Sequence, residues 1–505
     1  MMDSDIDSGS YGYSKVTHHP APSVKESGAY YTPKAVASTL VRWAVRHDDD
    51  RLLDPSCGDG SFVVAHNNVV GVERDPEAAT RAKQRAPWLD LHNGDFFTWA
   101  EQTNERFDCA AGNPPFIRYQ TFNGAVRKRA IALCATIGVP FSGLSSSWAP
   151  FLVATSMLLK PGGRMAFVIP AAIGHAPYAA PVIDRLASCF NAVHIVAIRR
   201  KLFPRLSEDC WLLFADGYGG STDHLKFTPL DRFSEVRMPP CSATRIPLSE
   251  WRGTWNKRLR PYLLNSDTRS LYQAVAKRPD SKRLGLLASV GIGYVSGANK
   301  FFHLRPSQAE QLGIPESLLC ATVRNGRMLP RRTLTNAIVN GWRQSDEPML
   351  LLRIQRGTEL SKNVISYLET EAARQASKRY KCRNRNPWYS VPDVRIPDFF
   401  LTYMSGRSSN LVRNLAKATC TNALHAVSLR DRRFASRLLE MWWSSYVQLS
   451  CELEGHALGG GMLKLEPREA ANVVIPSPEN INSFSSSVFD DAISVMHKWR
   501  HYGSS

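Results

Sequence analysis

The chain has 505 residues, 43% of them hydrophobic, with 31 prolines spread along its length, which implies a globular protein of two or three domains and excludes a disordered one. Its 63 Lys and Arg outnumber its 45 Asp and Glu, and the formal net charge of +18 suits a polyanionic partner. No apolar run reaches about 18 residues, the N-terminus is polar and the 10 cysteines form no CxxC pairs, which argues against a membrane span, a secretory signal, structural zinc and a disulfide framework, and fits a reducing cytoplasm.

Residues 1–27 lack periodicity and read as a flexible N-terminal tail. From Tyr30 to about Gly217, apolar strand-like runs alternate with helical segments, the mark of a doubly wound, mostly parallel α/β sheet. Strands are expected at Arg51–Asp54, Val69–Glu73, Leu89–His92, Phe107–Gly112, Gly163–Ile169, Ala192–Arg199 and Cys210–Ala215. Helices are expected at Pro33–Arg46, Pro76–Arg85 and Trp148–Leu159, the last stopped by Lys160-Pro161-Gly162-Gly163. A first domain over residues 28–245 follows from this pattern. Longer loops, glycine pairs and Arg-rich patches then replace it, reading as a mixed α+β domain over 246–480 and a Ser-rich tail over 481–505 with a minor helix and a loose end.

The chemistry-bearing residues fall at the ends of successive strands. Asp54-Pro55-Ser56-Cys57-Gly58-Asp59-Gly60 follows the first strand, and its glycines permit positive φ and close approach of a ligand. The loop is neither GxGxxG nor a lysine-bearing phosphate loop, so it suits a cofactor with cationic and amino-acid parts. Glu73 ends the second strand, where an acid can accept from both hydroxyls of a ribose. Asp95, after the third strand and before Phe96, could accept from an adenine amine. Either acid alone could equally be a helix cap. Asn113-Pro114-Pro115-Phe116 closes the series after the fourth strand. Its two prolines stiffen the turn and donate no N–H, leaving the Asn113 side-chain carbonyl beside the flat face of Phe116, an arrangement suited to a planar base with an exocyclic amine.

As an ordered set these motifs resemble the gamma class of S-adenosylmethionine-dependent N6-adenine DNA methyltransferases of restriction–modification systems. Tyr31-Thr32-Pro33 stands where the family has its first Thr-Pro motif, and the likeness covers roughly residues 28–217. The resemblance implies a Rossmann-like, mostly parallel seven-stranded sheet followed by a target-recognition domain. It implies that S-adenosylmethionine is bound by Tyr31, Thr32, Asp54, Pro55, Cys57, Gly58, Gly60, Glu73, Asp95, Phe96, Asn113 and Phe151. It implies catalysis at Asn113, Pro114, Pro115 and Phe116, with Phe116 and Phe203 stacking on an extruded target base. No metal is implied. In this scheme acceptors at the Asn113 side chain and the Pro114 carbonyl draw the amine hydrogens and localise the nitrogen lone pair, and stacking on Phe116 offsets part of the cost of base extrusion. One departure from the commonest family pattern is Phe at 116, where Tyr is frequent.

In the second half, Arg374, Lys378, Arg379, Lys381, Arg383 and Arg385 crowd together before Pro387-Trp388-Tyr389. Lys378, Arg379, Lys381, Arg383, Arg385 and Trp388 are therefore candidates for contact with double-stranded DNA, against the alternative of a solvated helix face. Ser296-Gly297-Ala298-Asn299-Lys300-Phe301-Phe302 and the loop opening at Gly459-Gly460-Gly461 resemble pieces of the family's recognition regions. Pro240-Cys241 looks like the nucleophile of C5-cytosine enzymes but follows the catalytic series instead of ending the fourth strand. The resemblance further implies a cognate restriction endonuclease as functional partner, a monomer, and a bacterial or archaeal cytoplasm. Alternatives are N4-cytosine transfer, an RNA or protein-glutamine substrate, and a DNA-binding protein with a degenerate methyltransferase half.

Overall fold

A computed structural model describes residues 32–118, 120–204, 206, 208–236, 238–478 and 486–503. The expected N-terminal tail and Tyr31 lie outside the described residues. The chain divides into two compact units, one ending at Leu248 but lacking Arg199–Asp209, the other made of that segment and the chain from Ser249 onward.

The first unit is built on one nine-stranded sheet. In chain order its strands are β1 (Leu52–Asp54), β2 (Val69–Glu73), β3 (Asp90–Asn93), β4 (Phe107–Gly112), β5 (Leu159–Pro170), β6 (Phe190–Ile198), β7 (Cys210–Tyr218), β8 (His224–Leu230) and β9 (Thr244–Pro247). Their order across the sheet is β3-β2-β1-β4-β5-β7-β6-β8-β9. Pairing is parallel from β3 through β5, and β7 enters antiparallel between β5 and β6. The first seven strands form the expected Rossmann-like sheet, and β8 and β9 extend its edge. Central strands carry continuous apolar runs such as Phe167-Val168-Ile169, buried on both faces as parallel strands flanked by helices must be.

The helices that matter for the site are α1 (Lys34–Ala44), α2 (Pro76–Arg85), α3 (Phe96–Gln102) and α4 (Trp148–Ser156). Asp75 caps α2 by accepting from the Glu77 N–H, with Pro76 at the first turn. One expectation shifts. The Lys160–Gly163 turn sits inside β5 as an irregularity, with Gly162 at φ +79° and the register to β4 slipping between Phe107 and Cys109.

The second unit contains a five-stranded sheet whose central part pairs Ala288–Ile292, Leu424–Leu429, Phe399–Thr402 and Leu411–Asn414 antiparallel. Beside it lies an apolar core that includes Phe301, Phe302, Tyr367 and Leu351. The segment expected to be a minor helix and loose end contains a 14-residue helix, Ser486–Trp499. Phe489, Ala492 and Met496, spaced three and four apart, are all buried. Just beyond it the buried Arg500 guanidinium donates to both carboxylate oxygens of Glu452, 2.9–3.2 Å away, and to the Gly406 and Gly461 carbonyls. Burial alone would raise the Glu452 pKa, but His497 and Arg500 hold it below the usual range.

Candidate active site

The loops following β1, β2, β3 and β4 converge on one cavity of about 290 Å³ in the first unit. Open α/β sheets place ligands at the carboxyl ends of their strands for this reason. Of the residues singled out in the sequence, Thr32, Pro55, Cys57, Gly58, Glu73, Asp95, Phe96, Asn113, Pro115 and Phe151 line it.

The β1 loop is shaped by its neighbours. Gly58 lies at φ +55°, and an added Cβ there would meet open space, so the chain is bare on the cavity side. The Gly58 N–H donates to Glu73 Oε2 at 2.9 Å, and the Asp75 N–H donates to Oε1 at 2.7 Å. Cys57 fits because residue 71 is glycine, where a Cβ would approach its Sγ to 3.0 Å. Burial, with Asp54 and Glu73 nearby, pushes the Cys57 thiol pKa upward, so it stays a neutral packing group.

Two residues assigned to the cofactor lie outside the lining. Gly60, at φ +93°, packs the loop on α2, where a Cβ would come within 3.1 Å of the Ala82 Cα. Asp54 is fully buried, and its Oδ1 accepts from the Ser56 N–H at 3.1 Å. Its Oδ2 has no hydrogen-bond partner. Burial raises its pKa to about 8, against the lowering effect of the Ser56 bond and with a further raise from Glu73. Gly112 makes room for it, since a Cβ there would stand 2.8 Å from Oδ1.

Asp95 proves to be a helix cap as well as a cavity residue. Its Oδ1 accepts from the Thr98 N–H at 3.0 Å and the Thr98 hydroxyl at 2.9 Å, opening α3. Phe96 and Phe151 stack with centroids 5.0 Å apart and an interplanar angle of 16°, forming an apolar plate beside these acids.

The Asn113-Pro114-Pro115-Phe116 turn is held from three sides. The Asn113 side-chain nitrogen donates to the Thr32 hydroxyl at 3.1 Å, and the Ser56 hydroxyl donates to the Asn113 carbonyl at 3.3 Å. Ser147, fully buried at the start of α4, donates its hydroxyl to the Pro115 carbonyl and accepts from the Ile117 N–H at 2.9 Å. Sequence reasoning missed Ser147. Its only signal was a Ser before a helix, which ordinarily means a cap, and here the side chain caps nothing. Pro114 is buried and Phe116 half-buried, neither lining the cavity. Phe203 belongs to Arg199–Asp209 of the second unit and is only 7% exposed, so it is packed away and does not offer a free face to a base.

In the second unit the basic stretch divides. Lys378, Arg379, Lys381 and Arg383 are exposed. Arg385 is committed elsewhere, donating to the Ser296 carbonyl at 2.7 Å and the Val295 carbonyl at 2.5 Å. Trp388 packs on Phe301 at 5.4 Å and Phe302 at 6.3 Å as part of the apolar core. Both expected DNA contacts are thus structural. The aromatic that is exposed is Tyr380, 65% accessible, with Arg383 5.4 Å and Lys381 5.9 Å from its ring centroid. Gly297 seats this short helix, because a Cβ there would meet the Lys381 Cβ at 2.8 Å.

Among the described residues, no group of three or more His, Cys, Asp or Glu could hold a metal ion, and no helix is long and apolar enough to cross a membrane.

Comparison with known proteins agrees with the fold. Residues 256–498 match the family described as the C-terminal domain of the type II methyltransferase M.Eco57I, and residues 11–86 match the N-6 DNA methylase family. The type II methyltransferase M.XamI of Xanthomonas campestris pv. amaranthicola is 24% identical over 496 residues, covering 92% of this chain and 87% of that protein. M.AccI of Acinetobacter calcoaceticus is 21% identical over 470 residues, covering 88% and 84%. The solved type IIL restriction-modification enzyme MmeI, in complex with DNA, aligns at a TM-score of 0.54 and 13% identity, covering 89% of this chain and 63% of that one. The chain spans about half (49%) of a solved chain from a type I restriction–modification system, at a TM-score of 0.34 and 19% identity.

Proposed function

Starting from the fact that this chain is an N6-adenine DNA methyltransferase of the type II modification class, we propose that it methylates the exocyclic amine of an adenine turned out of a short, defined duplex sequence. The observation that carries this reading is the convergence of Thr32, Gly58, Glu73, Asp95, Phe151 and Asn113 on one cavity, drawn from loops far apart in the chain.

The donor set fits S-adenosylmethionine. Glu73 offers carboxylate oxygens to a ribose diol, and Asp95 Oδ2, which its cap does not use, offers an acceptor to an amine. The Phe96–Phe151 plate offers a face to an adenine ring, and bare Gly58 leaves room for the methionine part. When bound, this cofactor supplies a strongly electrophilic sulfonium methyl group. The chain's part is to bind and orient. The Asn113 side-chain carbonyl and the Pro114 carbonyl accept the amine hydrogens, which localises a lone pair otherwise delocalised into the ring. Alignment in the cavity supplies much of the remaining acceleration. The half-buried Phe116 has a ring available for partial stacking on the extruded base.

In this reading the first unit is the catalytic domain and the second the target-recognition domain, with the exposed cluster around Tyr380 touching DNA phosphates. A cognate restriction endonuclease would be the functional partner, and the enzyme would act as a monomer in a prokaryotic cytoplasm. The test is transfer of labelled methyl from S-adenosylmethionine to unmethylated genomic DNA, followed by nucleoside analysis and sequencing. N6-methyladenine at one recurring short sequence is the expected product. N4-methylcytosine would move the target base, and label absent from DNA would refute the reading.

A further inference from the structure

Asn113 carries a side chain whose two ends are nearly identical in shape and opposite in hydrogen-bonding sense. Rotating its amide by half a turn would present an NH2 group where a carbonyl is needed. A target amine facing that NH2 would meet a donor, and the polarising contact would become a repulsive one. Something must therefore decide which end faces the base.

Thr32 is placed to decide it. It is 7% exposed, lines the same cavity, and its hydroxyl accepts from the Asn113 side-chain nitrogen at 3.1 Å. Its backbone is fixed by the adjoining Pro33, which at φ −53° leads into α1. The main chain of Asn113 is separately tethered, through the Ser56 hydroxyl on its carbonyl at 3.3 Å. With the main chain tethered and the nitrogen engaged by Thr32, the amide's remaining end is its carbonyl oxygen.

We infer that Thr32 is a positioning residue that sets the orientation of the Asn113 amide, so that its oxygen and not its nitrogen meets the target amine. This rests on the methyl-transfer reading above and adds to it a role for Thr32 separate from holding the cofactor.

The experiment compares Thr32→Val, which removes the hydroxyl at nearly constant volume, with Thr32→Ser, which keeps it. Single-turnover methyl transfer to DNA is measured beside equilibrium binding of S-adenosylmethionine. Thr32→Val is expected to slow transfer about ten- to a hundredfold while cofactor affinity holds, and Thr32→Ser to restore the rate. An unchanged rate in Thr32→Val overturns the inference. So does a loss of cofactor affinity that matches the loss of rate, since Thr32 would then serve only the cofactor. If the wild type itself leaves no label in DNA, the functional reading fails, and the positioning role is judged on protein labelled with 15N-asparagine. The Asn113 side-chain amide resonances, identified by their disappearance in Asn113→Ala, should shift in Thr32→Val and return in Thr32→Ser. Resonances that do not move would overturn the inference on their own.

Discussion

The Gly58 N–H donates to the Glu73 carboxylate across 2.9 Å, joining the loop after β1 to the end of β2. The acid assigned to ribose is therefore already oriented by the loop assigned to methionine. Glu73→Ala removes both the ligand acceptor and this tie. S-adenosylmethionine affinity should fall by about ten- to a hundredfold, the range for losing hydrogen bonds to a charged acceptor. Calorimetric titration reads this directly, and affinity equal to wild type would remove Glu73 from the cofactor site.

Asn113→Ala separates chemistry from binding. Transfer should disappear, because the amine-polarising acceptor is gone, while the cofactor still binds through Glu73, Asp95 and the aromatic plate. Turnover at the wild-type rate would refute the polarising role.

Asp54 makes stability depend on pH. Its carboxyl is fully buried with one oxygen lacking a partner, and burial lifts its pKa from 3.8 to about 8. A carboxyl whose pKa is higher folded than unfolded favours folding fully below about pH 4. That contribution is lost progressively as pH rises toward 8, because the folded state resists giving up the proton. Asp54→Asn, which stays neutral throughout, should therefore lose less melting temperature than wild type between pH 5 and pH 8. Parallel melting curves for the two proteins across that window would show that Asp54 does not titrate as described.

The sheet and the cavity loops were legible because apolar runs bounded by Gly, Pro and acidic residues mark strand ends, and each loop carries its chemistry within a few residues. The second layer was hidden. Ser147 meets Pro115 and Ile117 about thirty positions away in the chain, and nothing local distinguishes it from a cap. The basic–aromatic stretch misled for a related reason. Composition cannot tell a guanidinium facing solvent from one bound to carbonyls, as Arg385 is, or a free indole from one in a core, as Trp388 is. The last helix was legible in principle, through Phe489, Ala492 and Met496, but its serine content masked the spacing.

The division within that basic stretch makes a sharp contrast between neighbours. Lys381 and Arg383 are exposed beside Tyr380, whereas Arg385 is held by the Val295 and Ser296 carbonyls, and burial lowers its pKa. Replacing Lys381 and Arg383 by Ala should weaken DNA binding and flatten its salt dependence by about 0.9 log unit per lost phosphate contact. Melting temperature should barely change, because neither cation is buried. Arg385→Ala should do the reverse, lowering melting temperature by stranding two carbonyls while leaving the salt slope intact. Binding measured from low to high salt on both proteins decides the matter. If the double variant keeps the wild-type slope, Lys381 and Arg383 do not touch phosphate, and the DNA-facing surface of the second unit lies elsewhere.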